Sequence, residues 1–308
     1  MEKLKQIGNV TLNWTFYDEL LDGNINAEEE TILEILKSGT DLLTALGHDT
    51  RPLVYYHLSP RREGILSPMG FKTTDVVLEI GSGMGALTGA IAQKCYSVDC
   101  VELSGEYCLA NAYRNRLRKN INIHVGNFQD FKSSKNYDIV ILIGALRHAR
   151  KYFFGRYPYE CLLKQVFETL NPGGKLYLAV ENRLGLKYFA GCREYLLEKP
   201  FLGIEGYDVN DDVRTFSHSE IKKLLTKVGF HLLYFYYPFP DYRFPTDIFS
   251  DNYLPNASFD PIIINLDHDR IQCFDEVKAC RSLIGTEEFK VLSNSFLIEA
   301  VKNENAIC

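Results

Sequence analysis

The sequence VVLEIGSGMGALT, which runs from Val76 to Thr88, decides the fold of this chain. Its first half is a short apolar run, typical of a strand buried on both faces of a parallel sheet. Gly81, Gly83 and Gly85 follow, and the next residues have the pattern of a helix. Glycines let a ligand approach the main chain, and a helix start offers free backbone N–H groups that attract a carboxylate or phosphate. The stretch therefore predicts a cofactor-binding loop in an α/β sheet.

Two classes of cofactor fit the glycine pattern. Gly81, Gly83 and Ala86 match the loose form of the dinucleotide fingerprint, G-x-G-x-x-A, which alone is a weak signal. Glu79, two positions before the first glycine, together with Gly81, Gly83 and Gly85, resembles the first motif of the Rossmann-like S-adenosylmethionine (SAM) dependent methyltransferases. That resemblance implies that the acid orients the loop and that the glycines lie under the ribose and methionine parts of the cofactor.

Composition bounds the class of protein. The 308 residues allow one large α/β domain with insertions or two small domains. A formal net charge of −6 argues against a nucleic-acid surface. No apolar run is long enough to cross a bilayer, and no apolar core follows the charged N-terminus, so we expect a cytoplasmic protein. The eight cysteines form no C-x-x-C pair, which predicts neither a metal site nor a disulfide framework.

The N-terminal fifty residues are predicted to be a helical cap, residues 1–50, on a main domain of residues 51–308. Residues 1 to about 25 look irregular. A helix is expected to begin at Asn26, with Glu29 in the capping-box position. A second helix should end near Gly47.

Two predicted strands carry residues with the spacing of a nucleoside site. The strand from 97 to 104 carries Glu102 about 20 residues beyond the glycines, where a carboxylate can accept both ribose hydroxyls. The next strand, 121–125, runs into Asn127 and Phe128. Asn127 could bond the exocyclic amine of adenine, and Phe128 could stack on the ring.

Two further strands are expected to deliver the groups that act on a substrate. The strand 137–143 leads to His148, and the strand 175–180 leads to Glu181. Open α/β sheets place their chemistry at the C-terminal ends of parallel strands. Both side chains are therefore candidates for a catalytic base, with a non-catalytic pocket histidine as the open alternative for His148.

A sixth strand is predicted at 231–237. The remaining chain is predicted to contain insertions over the active face, about 182–216 after the fifth predicted strand (175–180) and about 238–292 after the sixth. Long irregular segments in a compact domain are usually lids or binding loops. The predicted substrate-binding residues lie there or beside the fifth strand: Asn182, Arg183, Tyr188 and Asp241. A helix is expected near 272–283 and a last strand at 294–302.

Longer strings sharpen the resemblance. The order of elements over residues ~50 to 305, with the Asn-Pro-Gly-Gly turn at 171–174, resembles the class I SAM-dependent methyltransferases. A finer similarity is to bacterial methyltransferases joined to, or encoded beside, glycosyltransferases of surface-polysaccharide assembly. The stretches 56–60, 181–191, 214–217 and 237–242 carry it. One departure concerns a family run of acid-Asp-His, which reads Glu194-Tyr195-Leu196 here, so no catalytic role is transferred to those positions.

The resemblance also implies cofactor contacts near the first strand. It places Tyr56 and Arg62 at the amino-acid end of the cofactor. The full predicted cofactor set is Tyr56, Arg62, Glu79, Gly81, Ser82, Gly83, Gly85, Glu102, Leu103, Asn127 and Phe128.

These patterns predict a Rossmann-like α/β fold with a mostly parallel twisted sheet and helices on both faces. The predicted activity is SAM-dependent O-methylation of a sugar, a glycan or another small polar acceptor, with no metal and a possible glycosyltransferase partner. The alternatives are a NAD-dependent or nucleotide-sugar oxidoreductase, and a non-catalytic SAM-binding subunit of a polysaccharide-assembly complex.

Overall fold

The computed structural model describes residues 3–153, 155–208, 210–263 and 269–303. The chain divides into two compact units. The first contains residues 1–142 and 168–175, and the second contains residues 143–167 and 176–308. Among the described residues, no helix combines the length and the apolar character that crossing a membrane requires.

The described residues form strands and helices in the following order. The strands are β1 (Leu4–Ile7), β2 (Val10–Phe16), β3 (Val76–Ile80), β4 (Ser97–Glu102), β5 (Ile121–Gly126), β6 (Tyr137–Ile143), β7 (Leu170–Glu181), β8 (Phe230–Phe239), β9 (Asp247–Ser250) and β10 (Ser295–Lys302). The α-helices are α1 (Ala27–Ser38), α2 (Leu42–His48), α3 (Pro52–Leu58), α4 (Thr88–Ala92), α5 (Gly105–Arg114), α6 (Ala149–Tyr152), α7 (Pro158–Thr169), α8 (Leu186–Phe189), α9 (Leu202–Glu205), α10 (His218–Val228), α11 (Glu276–Leu283) and α12 (Glu288–Leu292). Short 3₁₀ helices span Pro60–Leu66 and Leu146–His148.

The first unit is built on a mostly parallel sheet. Its strand order is β1-β2-β5-β4-β3-β6. β3 pairs in parallel with β4 on one side and with β6 on the other. The central strand is buried, with Val77 and Leu78 fully inaccessible, as expected for a parallel strand covered on both faces. The predicted position of this strand is confirmed.

The N-terminal fifty residues contain more regular structure than the sequence pattern predicted. The expected irregular segment forms β1 and β2, and β2 pairs in parallel with β5. The signal was the alternation of buried Val10 and Leu12 with polar neighbours, a period of two that marks a strand. The predicted capping box of Asn26 and Glu29 is present at the start of α1. The domain boundary at residue 50 stays a prediction.

Two segments of the first unit differ from the expectation. The helix after the glycines is only five residues long and begins at Thr88, because the chain first completes a turn in which the Gly85 N–H bonds to the Ser82 carbonyl. The Asn171–Gly174 segment, predicted as a turn, belongs to β7. The side chain of Asn171 donates to Asp138 at 2.8 Å, which ties this segment to the start of β6.

The second unit contains the remaining strands, in the order β7-β10-β8-β9 with β7 entering it at Leu176. β8 pairs antiparallel with both β10 and β9. The predicted insertion after the fifth strand holds the short helices α8 and α9. The second insertion contains β9, α11 and α12, and α11 covers much of the helix expected near 272–283.

Candidate functional site

The glycine loop between β3 and α4 is held open by backbone conformation. Gly81, Gly83 and Gly85 all have positive φ angles, of 71°, 54° and 76°. Side chains with a Cβ rarely adopt this conformation. The N–H of Gly81 donates to the carbonyl of Val101 at 2.8 Å, and that of Gly83 donates to Glu102 Oε2 at 2.8 Å. The loop is therefore fastened to the end of β4 by two bonds.

A buried polar network supports the loop from below. The Thr88 hydroxyl donates to Glu79 Oε2 at 2.6 Å. The amide nitrogen of Asn111, on α5, donates to the hydroxyls of Ser82 and Thr88 at 3.2 and 3.1 Å. Asn115 in turn donates to Asn111 Oδ1 at 2.8 Å. A satisfied buried network makes a local geometry rigid, so the predicted role of Glu79 in orienting the loop has a visible structural basis.

Burial dominates the electrostatics of Glu79. The carboxyl is 4% exposed, and burial raises its pKa to about 7, partly opposed by its bonds to Thr88 and Cys100 and by the charge of Arg62. This group consequently titrates close to physiological pH, which is unusual for a carboxylic acid.

Gly83 and Gly85 differ in the space that surrounds their Cα atoms. A Cβ on Gly85 would lie 2.6 Å from Cγ of Asn111, closer than real Cβ atoms come, and 3.0 Å from its Cα, which is tighter than most real contacts. A Cβ on Gly83 would have nothing within 4 Å. Gly85 is therefore required by packing inside the protein, whereas Gly83 borders open space that a ligand can enter.

Glu102 lies at the C-terminal end of β4, as predicted. Its Oε2 accepts from Gly83, and its Oε1 accepts from the N–H of Ser104 at 3.1 Å. The side chain is half-buried. Each carboxylate oxygen has two lone pairs, so both can still accept a ribose hydroxyl. Leu103, the next residue, is also half-buried.

The turn after β5 contains the predicted adenine residues. Asn127 is buried, and its Oδ1 accepts from the N–H of Gln129 at 3.2 Å, which stabilises the turn. The ring of Phe128 is 5% exposed and stacks on Phe131 with 6.2 Å between centroids. Phe128 is thus one ring of a buried aromatic pair, and its predicted stacking on adenine stays a prediction.

Tyr56 and Arg62 lie at the corner between α3 and the following 3₁₀ helix. The guanidinium carbon of Arg62 is 3.9 Å from the centre of the Tyr56 ring, a favourable cation–π distance. Both predicted residues are thus brought together in the same unit as the glycine loop.

The two predicted bases lie in the second unit, each close to Arg147. Glu181, at the end of β7, is 3% exposed, and its Oε1 accepts from Arg147 Nη1 at 2.6 Å and from the Tyr242 hydroxyl at 3.0 Å. The other oxygen, Oε2, has no hydrogen-bond partner within the part of the chain that the structure describes. Glu181 therefore has one oxygen fixed and one available.

His148 is less suited to taking a proton. Its Nε2 accepts from Arg147 Nε at 3.3 Å, which places the ring proton on Nδ1. Burial, with the charges of Arg147 and Lys151, lowers the pKa of His148 to about 3. In this arrangement His148 is a neutral donor.

Asp241 and Tyr188 contribute to a compact charged cluster. Asp241 pairs with Arg243, whose Nε lies 3.0 Å from Oδ2, and with Lys187 at 3.6 Å. The ammonium group of Lys187 lies 5.1 Å from the centre of the buried Tyr188 ring. The Asp241 carboxylate is thus paired with two cationic side chains of this chain, Arg243 and Lys187. Its predicted substrate-binding role stays a prediction.

Asn182 and Arg183 hold the scaffold together. Asn182 is fully buried, with its amide nitrogen donating to the carbonyls of Val291 and Ser293 and its Oδ1 accepting from Leu184. Arg183 binds Glu220 at 2.7 Å and the Gly203 carbonyl at 2.8 Å. The amide groups of Asn182 are thus all bonded within the chain, and Arg183 also has partners within the chain. The substrate roles of both residues stay predictions.

Sequence reasoning missed several residues of these sites. Thr88 and Asn111, which support the glycine loop, and Arg147, which contacts both base candidates, carried no motif. Arg147 was detectable in principle, because it immediately precedes His148 after a buried strand.

Residues 77–174 match a family model described as a methyltransferase domain. The matched segment includes the glycine loop and Glu102. The match confirms the predicted enzyme class at the level of this domain.

Two solved structures share the fold. One is a chain of the complex between the Haloferax volcanii Trm112 methyltransferase activator and a methyltransferase, with 17% identity, a TM-score of 0.50, and coverage of 84% of this chain and 96% of that one. The other is phosphoethanolamine N-methyltransferase 1 of Haemonchus contortus in complex with phosphoethanolamine and S-adenosylhomocysteine, with 13% identity, a TM-score of 0.51, and coverage of 92% and 51%. They confirm the predicted Rossmann-like fold.

A curated relative is similar in sequence. The ubiquinone biosynthesis O-methyltransferase of Rickettsia canadensis (strain McKiel) is 22% identical over 157 residues, which are 51% of this chain and 62% of the relative. The chain thus spans less than two thirds of that relative's length.

Proposed function

We propose that this chain is a SAM-dependent methyltransferase that methylates an oxygen atom of a sugar, a glycan or another small polar acceptor. The observation that carries the proposal is the glycine loop inside the methyltransferase-domain match, with open space beside Gly83 and Glu102 bonded to the loop at the end of β4. The nucleoside of SAM fits this arrangement, because its ribose hydroxyls need a hydrogen-bond acceptor. The methionine chain of SAM also needs open space beside the backbone of the loop.

The first unit would hold the cofactor. Glu102 accepts from the ribose hydroxyls, and Asn127 and Phe128 border the adenine. The backbone of Gly81 and Gly83 lies under the ribose and the methionine chain. When bound, SAM supplies an activated methyl group, so no metal is needed for activation.

Glu181 would act on the acceptor. A hydroxyl group must lose its proton as it accepts a methyl group, and Glu181 Oε2 is the group proposed to take it. Arg147 and Tyr242 hold the other oxygen and fix the carboxylate in one orientation. His148, with its proton on Nδ1, would donate to another acceptor oxygen and help to align it.

The nature of the acceptor is supported by sequence similarity. The curated relative is named an O-methyltransferase, which favours oxygen as the acceptor atom. The resemblance of the four strings to methyltransferases of surface-polysaccharide assembly favours a sugar and a glycosyltransferase partner. The scattered cysteines, without a C-x-x-C pair, favour a cytoplasmic location.

The proposal is tested in two steps. Calorimetry on cofactor-free protein should show binding of S-adenosylhomocysteine and none of NAD. The reverse result would replace the methyltransferase with a dehydrogenase. Incubation with methyl-labelled SAM and a panel of nucleotide sugars and oligosaccharides should then transfer label to one of them. Binding without transfer to any small acceptor would favour a non-catalytic subunit.

A further inference from the structure

Tyr195 lies in a short turn of the first insertion, and its side chain is half-buried. The buried Glu194 side chain fixes this turn, because its Oε2 accepts from the N–H groups of Leu196 and Leu197, each at 2.7 Å. The N–H of Glu194 donates to the carbonyl of Lys199 at 2.9 Å, which closes the turn. A buried carboxylate bonded to backbone donors makes a local geometry rigid. The backbone therefore holds the Tyr195 ring in a defined position, where other side chains can pack on it.

Two arginines lie against this ring. The guanidinium carbons of Arg147 and Arg243 are 5.4 and 5.5 Å from its centre, within the distance at which an aromatic ring attracts a cation. Both arginine side chains are largely buried, with 13% and 9% of their surface exposed. Cation–π attraction is stronger at desolvated sites than at exposed ones. The ring therefore restrains two cations from distant parts of the chain, one before β7 and one after β8.

Each of these arginines also holds a carboxylate that the sequence marked as a site residue. Arg147 Nη1 donates to Glu181 Oε1 at 2.6 Å. Arg243 Nε donates to Asp241 Oδ2 at 3.0 Å. Tyr195 is thus connected to the proposed base through one arginine and to a predicted substrate-binding acid through the other.

Arg147 fixes two groups of the proposed acceptor site at once. Its Nη1 bond orients Glu181, and its Nε bond orients the ring of His148. An arginine side chain has several rotatable bonds, so holding its guanidinium in one place costs conformational entropy. Contact with an aromatic ring offsets part of that cost. A ring also adds no negative charge, so it does not compete with Glu181 for the guanidinium as a second carboxylate would.

We propose that Tyr195 is a positioning residue for the methyl transfer: through Arg147 it keeps Glu181 in the orientation that presents Oε2 to the acceptor hydroxyl. The inference rests on the proposed function and adds a residue to it. Both cation–π contacts are made to the ring of Tyr195. Phenylalanine should therefore be able to replace this residue, whereas leucine should not.

A double-mutant cycle tests the contact without any acceptor. Tyr195→Leu, Arg147→Met and the double variant, each in the full chain, are unfolded in urea and compared with the wild-type protein. We expect the two changes to be non-additive, because each removes the same cation–π contact. The effect of Tyr195→Leu on the unfolding equilibrium constant should be about 3-fold or more smaller in the Arg147→Met background. Additive effects would overturn the inference.

Kinetics test the role, with the nucleotide sugar or oligosaccharide of the panel that takes label from the wild-type protein as the acceptor. Tyr195→Leu should lower kcat by about 10-fold while changing KM for SAM and for the acceptor less than about 3-fold. The acidic limb of kcat against pH should move to higher pH, because a loosened Arg147 brings less positive charge to Glu181. Tyr195→Phe should keep kcat and the pH profile. Tyr234→Leu, which removes an exposed ring from β8, should also keep both.

The other groups that face Glu181 are the same in these variants. Tyr242 bonds to its Oε1, and Tyr207 is near enough to be affected by its charge. An unchanged kcat in Tyr195→Leu, or a lowered kcat with the pH profile in place, would overturn the inference, and so would an equal loss in Tyr195→Phe. Wild-type protein that transfers label to no member of the panel would instead overturn the proposed function.

Discussion

Replacing Gly83 and Gly85 separately by alanine should have different consequences, although both glycines have positive φ. Each substitution forces alanine into the left-handed region, which costs about 1–2 kcal/mol. For Gly83→Ala this strain is the whole expected loss of stability, because the new Cβ meets nothing within 4 Å. The methyl group instead occupies the open side of the loop, so the affinity for S-adenosylhomocysteine should fall by about 10-fold or more.

Gly85→Ala adds a steric conflict with Asn111. The new Cβ would lie 2.6 Å from Cγ of Asn111, so the side chain must leave Ser82 and Thr88. Stranding these buried groups costs about 1–3 kcal/mol beyond the strain. The free energy of unfolding should therefore fall by about 2–5 kcal/mol, a large part of the 5–15 kcal/mol typical of a folded protein.

Urea unfolding followed by circular dichroism measures both losses, and a double-mutant cycle isolates the contact. In an Asn111→Ala background, the cost of Gly85→Ala should fall towards that of Gly83→Ala, because the contact with Cγ is gone and only the 3.0 Å approach to Cα remains. Equal losses for the two glycine variants, or a Gly85→Ala cost that is unchanged in the Asn111→Ala background, would refute this account of the loop.

Other predictions concern single groups. The unfolded Glu79 carboxyl ionises near its ordinary value of 4.5, whereas the folded one keeps its proton to about pH 7, so stability should fall by about 3 kcal/mol as pH rises through this window. Glu79→Gln should flatten that part of the stability profile, and an unchanged slope would contradict the assignment. Glu181→Gln should lower kcat by about 10²–10³-fold with little change in cofactor affinity, while His148→Asn should lower it less than about 10-fold; the opposite ranking in single-turnover assays would make His148 the base. Asn182→Ala should reduce stability by about 2–4 kcal/mol, by leaving two carbonyls without donors, and should leave KM for the acceptor unchanged; a raised KM in the folded variant would instead support its predicted substrate role.

The parts of the fold that sequence predicted well depend on local periodicity and spacing. The buried strand before Gly81 and the acid at Glu102 were readable because a parallel strand is continuously apolar and a nucleoside site has a regular spacing. β1 and β2 were missed because short alternating segments are weak signals beside aromatic residues. All of these features depend on the local sequence pattern, so predicting them needs no knowledge of tertiary contacts.

The functional side chains were harder to assign, because their roles depend on contacts between distant segments. Asn182 and Glu181 are adjacent in sequence, yet their hydrogen bonding differs. The amide nitrogen of Asn182 donates to two backbone carbonyls near residue 292, whereas Glu181 keeps one carboxylate oxygen available. Asn111 lies 29 positions from Ser82, and nothing in the spacing marks the pair. Polar residues in a motif-like string can therefore be scaffold or site, and only the hydrogen-bond partners decide.

Asn111 and Arg114 lie on the same helix, three positions apart, and one supports the glycine loop while the other supports the α3 corner. A change that shifts this helix must disturb the glycine loop and the α3 corner at once, whereas changes elsewhere disturb one. Selection for variants of the corner should consequently recover suppressor mutations in α5. Inherited variation at these two positions should occur jointly.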